Sequence, residues 1–152
     1  LDLVSPVDAP HQLRPRSWVG QRFPLHASAS GKVLLATYDE ERLERFLLEP
    51  LVRFTPSTIT TAEALRSELE RVRELRYAFV IDEEEEGLTG VATGIHGQTD
   101  ELIGVLTVSG PTQRLDPHRG GHAVDHLLRA AGQIESVLRR GRESASVLEV
   151  IS

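Results

Sequence analysis

A chain of 152 residues, of which 39% are hydrophobic and 26% are charged, has the size and composition of a single globular domain. Its net charge of −6 at pH 7 argues against DNA binding by this region alone, because surfaces that neutralise DNA phosphates are basic. Cysteine is absent, which excludes disulfides and thiolate metal ligands, and no apolar run reaches the roughly 18 residues that cross a bilayer.

The N-terminal part of the chain predicts strands followed by a short helix. Residues 1–7 alternate apolar and polar side chains, as in a half-buried strand, and residues 13–22 form a loop or a second short strand. Residues 23–32 then lead into a short apolar helix at residues 33–36. The small residues at 27–31 allow another backbone segment to approach the start of that helix closely.

Two further helices follow. Asp39 is the predicted N-cap of a helix that ends near Leu48. Thr60 and Glu63 form a capping-box pattern, which predicts a helix beginning at Thr60. The apolar residues of this helix share one face at helical spacing, and they are Leu65, Leu69, Val72 and Leu75.

The second half of the chain predicts adjacent strands and a long helix. Residues 77–81, 91–95 and 102–109 are strands by composition, with the acidic run 82–86 after the first of them. Short turns between neighbouring strands imply antiparallel pairing, so the fold class is α+β. The final helix is expected from about Gly120 to Arg140, with Gly141 as its stop, before strand-like composition at 147–151.

Two signatures in this order resemble the IclR family of bacterial transcription regulators. The first is Pro24-Leu25-His26-Ala27 with Gly31-Lys32, and the second is Val108-Ser109-Gly110-Pro111 followed by Arg114-Leu115. The resemblance covers about residues 10–140. It implies a GAF-like, profilin-like fold: a curved antiparallel sheet flanked by helices on both faces.

The resemblance also implies a role and partners. Residues 1–152 would form a single effector-binding domain with an ordered core of about 1–140, without catalytic activity or a cofactor. The chain would be cytoplasmic, form a homodimer or homotetramer, and have no membrane partner. Because it begins at Leu1 rather than at methionine, we expect it to be cut from a longer protein, whose N-terminal winged helix-turn-helix domain binds operator DNA.

Carried over by position, the family's effector site falls on four segments of this sequence. Amides at a helix N-terminus and hydroxyls on one strand face suit a small organic acid. The effector-binding residues that the resemblance predicts are Ala29, Ser30 and Gly31, Asp82 and Glu83, Gly90, and the pair Thr107 and Ser109.

This sequence departs from the family pattern near that site. Val80 and Ile81 stand where the family has paired aspartates, so the acids come later, at Asp82 and Glu83. Gly90 and Gly94 stand where cysteine and proline are common. Smaller residues there favour a roomier pocket, and we expect an effector that is bulkier or more aromatic than a two- or three-carbon acid.

Other interpretations remain open at this point. His118, His122 and His126 are spaced by four, so a metal-assisted enzyme is one alternative. A dimerisation module without a ligand is another, and it predicts no enclosed cavity near Ser30 and Ser109. The Gly-Lys ending of residues 27–32 is also typical of phosphate loops, but the first glycine and the hydroxyl residue after Lys32 are missing.

Overall fold

A computed structural model describes residues 24–115 and 122–149, with side chains to residue 140. Three helices come first, three strands follow, and two helices end the described chain. In chain order the elements are α1 (Ala29–Ala36), α2 (Glu40–Leu47), α3 (Ala62–Leu75), β1 (Tyr77–Ile81), β2 (Leu88–His96), β3 (Leu102–Pro111), α4 (Thr112–Leu115) and α5 (His122–Glu149).

Each of the first three helices begins at a side chain that caps it. Ser28, Asp39 and Thr61 each accept a hydrogen bond from the backbone amide three residues later. The prediction for Asp39 is confirmed, but the prediction that Thr60 caps α3 is wrong by one residue. The Thr60 hydroxyl instead accepts a hydrogen bond from Nη2 of Arg53 at 3.1 Å, which leaves its neighbour as the cap.

The three strands form one antiparallel sheet in the order β1-β2-β3. Phe79 pairs with Val91 across β1 and β2, and Val91 pairs with Val108 across β2 and β3. The predicted α+β class is confirmed. Strand β2 starts three residues before the predicted strand and β3 ends two residues after it, because these two strands pair with each other from Leu88 to His96.

The buried core has two parts, and α1 contributes to both. Ala29 and Val33 of α1 pack with Val72, Ala78, Val80 and Ala92, so that one face of α1 lies on the sheet. Leu35, on another face of α1, packs with Leu43, Leu65 and Leu69 of the two neighbouring helices. The start of α1 is therefore fixed between the sheet and the helical layer.

Helix α5 is longer than the sequence indicated. It runs through Gly141 to Glu149, so the predicted stop at Gly141 and the strand-like interpretation of residues 147–149 are both wrong. A glycine inside a helix costs only about 1 kcal/mol, and the flanking arginine, glutamate and leucine residues favour a helix. The predicted strand at residues 1–7, like residues 116–121, lies outside the described residues. Within the described ranges, no helix is both long enough and apolar enough to span a membrane.

Candidate ligand-binding site

The first turn of α1 lies against an unusually close backbone neighbour. Ala29, Ser30 and Gly31 are buried and form this turn, whereas the sequence placed them in a loop before the helix. A β-carbon on Gly31 would lie 2.3 Å from Cα and from the carbonyl oxygen of Leu25. Only glycine permits this approach, which confirms the expectation drawn from the small residues at 27–31.

Gly90 of β2 is the point where α1 and β3 meet. A β-carbon on Gly90 would lie 3.5 Å from Cβ of Ala29 and 3.6 Å from Oγ of Ser109. Gly90 pairs with Ser109 in the sheet, and Thr107 pairs with Ala92 two residues along, so these positions share the face on which α1 lies. The structure therefore brings together one predicted residue from each of α1, β2 and β3.

The hydroxyls of Thr107 and Ser109, both on β3, differ in what they contact. The Thr107 hydroxyl donates to the carbonyl of Val91 at 3.1 Å, which ties it to the neighbouring strand. Ser109 is exposed and its hydroxyl lies beside Gly90. Of the two, Ser109 presents the better placed hydroxyl for a ligand.

The acidic loop, residues 82–87, is shaped by its first residue. Asp82 has a φ of 56°, and its Oδ1 accepts hydrogen bonds from the Gly87 amide at 3.0 Å and from the Thr112 hydroxyl at 2.6 Å. Gly87, with a φ of 83°, closes the turn. The Asp82 carboxylate thus organises the loop and connects it to the start of α4.

The next residue turns inward instead of facing a ligand. Oε1 of Glu83 accepts a hydrogen bond from Nζ of Lys32 at 2.6 Å, and Oε1 of Glu68 lies 3.7 Å from the same ammonium. Lys32 is fully buried and Glu83 is 8% exposed. The second residue of the acidic run therefore belongs to the interior of the protein.

Burial sets the protonation behaviour of Glu83. Loss of solvation raises the pKa of its carboxyl above the ordinary value of 4.5, and the charge of Glu68 adds to this. The charge and hydrogen bond of Lys32 and the backbone of Ile59 oppose the rise. Oε2 of Glu83 is buried and has no hydrogen-bond partner among the described residues, so the ion pair satisfies the carboxylate only in part.

Two threonines fix the backbone of the acidic loop from the other side. Thr55 donates to the carbonyl of Asp82, and Thr58 donates to the carbonyl of Glu83 at 2.6 Å. Both threonines are buried. The loop is thus held by its backbone at Thr55 and Thr58 and by a side chain at Lys32.

Sequence reasoning missed the role of Lys32. It is the only lysine in the chain, and the sequence showed it only as part of the first family signature and as the end of a phosphate-loop pattern. Its ammonium is directed to Glu83 and Glu68, not to the solvent at the helix start. A single lysine beside the apolar run 33–36 was the signal, but its partner lies 51 residues away in sequence.

Local packing decides the expectation about Gly94 and shows what surrounds His26. The space beside Gly94 is filled, since a β-carbon there would lie 2.5 Å from Cε1 of His96 and 2.8 Å from Cδ1 of Leu102, so Gly94 does not enlarge a pocket. His26 is buried beside the ring of Phe54, and its Nε2 lies 2.9 Å from the Val52 carbonyl oxygen. Packing near the site is thus the role of His26.

The described residues offer no metal centre. No group of three or more histidine, aspartate or glutamate side chains among them is arranged to hold an ion. His122 and His126 lie on the first turns of α5 and are exposed, and His118 lies outside the described residues.

Comparisons with known proteins agree with both the fold and the signatures. Residues 1–136 match the family described as bacterial transcriptional regulator IclR, C-terminal. An HTH-type transcriptional regulator of Mycobacterium tuberculosis is 42% identical over 113 residues, which cover 74% of this chain and 43% of that protein. The HTH-type transcriptional repressor AllR of Escherichia coli is 34% identical over 118 residues, covering 77% of this chain and 44% of AllR.

A solved structure with a ligand is among the similar folds. It is the inducer-binding domain of an Acinetobacter PobR transcription factor double mutant in complex with 3-hydroxybenzoic acid. It is 30% identical, has a TM-score of 0.72, and the match covers 82% of this chain and 73% of that chain. The chain spans less than half the length of the two curated relatives, and those relatives are regulators of transcription, not enzymes.

Proposed function

This chain belongs to the IclR family of bacterial transcriptional regulators as its C-terminal domain, and we propose that it binds a small organic acid at the junction of α1, β2 and β3. The observation that carries the proposal is the position of Gly90 between Ala29 and Ser109. A glycine at this point leaves room between a helix N-terminus and a strand hydroxyl. The proposed effector site comprises Ala29, Ser30, Gly31, Gly90, Thr107 and Ser109, with Asp82 and Glu83 shaping its edge.

The charges around the site are compatible with an anionic ligand. The first-turn amides of a helix attract anions. Two predicted site residues, Asp82 and Glu83, are carboxylates. However, Asp82 already accepts two hydrogen bonds and Glu83 is paired with Lys32. Because Asp82 is hydrogen-bonded and Glu83 is paired with a cation, neither of these two carboxylates is free to repel a bound acid from close range.

We propose an aromatic or otherwise bulky acid as the effector. Gly90 supplies space that a larger residue would occupy, whereas Gly94 does not. The inducer-binding domain of PobR, which is complexed with 3-hydroxybenzoic acid, supports the class of ligand. A ring with one carboxylate and one hydroxyl offers the anion to the α1 amides and a polar group to Ser109.

A panel of acids tests this proposal. Thermal unfolding of the purified domain is measured with benzoate, 3-hydroxybenzoate, pyruvate and glyoxylate at matched ionic strength. We expect benzoate or 3-hydroxybenzoate to raise Tm in a concentration-dependent way, because a ligand that binds the native state stabilises it. Stabilisation by pyruvate or glyoxylate alone would show that the effector is a short acid.

The readout of binding would lie outside this chain. We propose that acid binding changes operator DNA binding by an N-terminal winged helix-turn-helix domain of the whole regulator. A coupling free energy of about 1–3 kcal/mol would change operator affinity by about 5–150-fold. Operator titrations of the full-length protein with and without the acid measure this factor, and equal affinities would contradict the coupling.

Self-association is a second candidate role, favoured by α5. Buried Leu127 and Ala131 are followed on the same helix face by Ile134 and Leu138, which are 36% and 44% exposed. The 4-3-4 spacing of these residues is typical of helices that pair with one another. We propose that a second copy of the chain covers the exposed part of this face, in a homodimer or homotetramer.

A further inference from the structure

Lys32 connects the candidate site to the interior of the protein. It lies in α1 directly after the first turn, and its ammonium reaches Glu83 of the acidic loop and Glu68 of α3. The lysine side chain is 0% exposed, so it does not reach a ligand in solvent. Its contact with Glu83 instead joins α1 to the acidic loop at the edge of the proposed site.

The conformation of the acidic loop depends on where Glu83 is held. Asp82, immediately before it, has a left-handed conformation, which is unfavourable for most residues other than glycine. The Asp82 amide donates to the Leu88 carbonyl at 2.9 Å, and the Gly87 amide donates to Asp82. A shift of Glu83 would therefore move the hydrogen bonds that close the loop.

We propose that Lys32 is a positioning residue for the effector site, acting through Glu83. The ion pair sets the distance between the first turn of α1 and the acidic loop, and the affinity for the effector depends on that distance. This inference rests on the proposed acid-binding function, and it assigns to Lys32 a role that needs no contact with the ligand.

A pair of variants separates positioning from stability. Lys32→Met leaves the Glu83 carboxylate buried without its cation. We therefore expect the free energy of unfolding to fall and the acidic loop to shift. In the double variant Lys32→Met/Glu83→Met, two apolar side chains of similar length replace the pair, and stability is expected to recover. The Glu68 carboxylate remains partly exposed, with its Oε2 3.8 Å from Nε of Arg71. The double variant therefore does not leave it buried without a cation.

The first measurement needs no ligand. Amide hydrogen exchange is followed at Asp82, Gly87 and Leu88, whose amides close the acidic loop, with the amides of α5 as the reference for global unfolding. We expect exchange at these three amides to be about tenfold faster in the double variant than in the wild type. Arg66→Met, which removes a more exposed ion pair with Glu40, is the control and should leave them unchanged.

The second measurement is the affinity for 3-hydroxybenzoate by calorimetry. We expect the double variant to bind about tenfold more weakly than the wild type despite equal Tm. Wild-type exchange and wild-type affinity in the double variant would overturn the proposal and leave the pair a packing element. If the wild type does not bind 3-hydroxybenzoate, the proposed ligand fails, and the amide exchange alone decides whether Lys32 positions the loop.

Discussion

Nζ of Lys32 lies 2.6 Å from Oε1 of Glu83, and the lysine is fully buried. The two residues are 51 positions apart and belong to different elements, so the pair ties α1, the helix of the proposed effector site, to the loop that follows β1. Such a pair is costly to break, because removing one partner leaves an uncompensated charge in the interior. Several properties of the domain should depend on it.

Removal of the lysine charge should destabilise the domain strongly. Lys32→Met is expected to lower the free energy of unfolding by about 3–5 kcal/mol, because Glu83 would lose its cation. Urea unfolding followed by circular dichroism measures the change. Arg66→Met is the matched control, and because Arg66 and Glu40 form a more exposed pair, its effect should not exceed about 1 kcal/mol. Equal effects of the two variants would contradict the structural role of the buried pair.

The raised pKa of Glu83 predicts how stability changes with pH. In the folded protein this carboxyl retains its proton above pH 4.5, where the unfolded chain has released it. The stability that Glu83 contributes is therefore greatest below pH 4.5 and is lost as the pH rises through its folded pKa. Glu83→Gln removes this titration, so the wild type should lose stability relative to the variant between pH 4 and neutrality.

Urea unfolding of the wild type and Glu83→Gln across this pH range measures whether the difference in their stability changes in the expected direction. Subtracting the two curves cancels the titration of groups that the proteins share. A difference that changes in the opposite direction, with the wild type gaining stability as the pH rises, would mean that the attraction of Lys32 outweighs the loss of solvation at Glu83.

Two glycines in helices should respond oppositely to the same substitution. Gly31→Ala places a β-carbon 2.3 Å from the Leu25 backbone, so α1 or its neighbour must move, at a cost of about 1–3 kcal/mol. Gly132 in α5 has nothing within 4 Å of that position, so Gly132→Ala should stabilise by about 0.5–1 kcal/mol through helix propensity. Thermal unfolding of both variants provides the comparison, and similar shifts in Tm would show that Leu25 does not confine Gly31.

Local patterns predicted most of the elements but could not locate the buried ion pair. The cap at Asp39 and the burial of Leu65, Leu69 and Val72 depend on near neighbours and are confirmed, whereas Leu75, predicted on the same stripe, is 43% exposed. The Lys32–Glu83 pair depends on how α1 lies against the loop after β1, which spacing along the chain does not encode. The resemblance predicted Glu83 as a ligand contact, whereas in the structure its carboxylate forms an ion pair with Lys32.

The errors at helix ends have a similar cause. Thr60 and Thr61 are equally good caps by residue type, and the choice between them depends on Arg53, which is brought near Thr60 by the preceding connection. At Gly141 the sequence offered a common helix stop, but helix propensity on both sides outweighs one glycine. Gly94 is a further case in which distant packing decides the outcome. The sequence suggested free space at this position, but the side chains of His96 and Leu102 occupy it.

The exposed apolar face of α5 predicts the state of association. Val137 is 59% exposed and lies between Ile134 and Leu138. Val137→Glu should shift the chain towards the monomer, because a charge would be placed in the proposed contact between copies. Sedimentation velocity over a range of concentrations measures the change. Leu48→Glu, which alters an equally apolar side chain that is 81% exposed after α2, should leave the association state as it is.

Gly90 gives the most direct test of the effector site. Gly90→Ala adds one carbon at ordinary contact distance from Ala29 and Ser109, so the fold should tolerate it and acid binding should weaken little. Gly90→Leu adds a branched side chain that fills the space between α1 and β3. We expect it to weaken 3-hydroxybenzoate binding at least about tenfold, which corresponds to about 1.4 kcal/mol.

The comparison between the two substitutions separates blocking from unfolding. Calorimetry gives the affinities, and thermal unfolding without ligand gives the stability of each variant. Because the β-carbon is common to both, a difference in affinity at similar Tm assigns the loss to the volume of the leucine side chain. Unchanged affinity in Gly90→Leu would place the acid elsewhere on the domain, away from the junction of Ala29, Gly90 and Ser109.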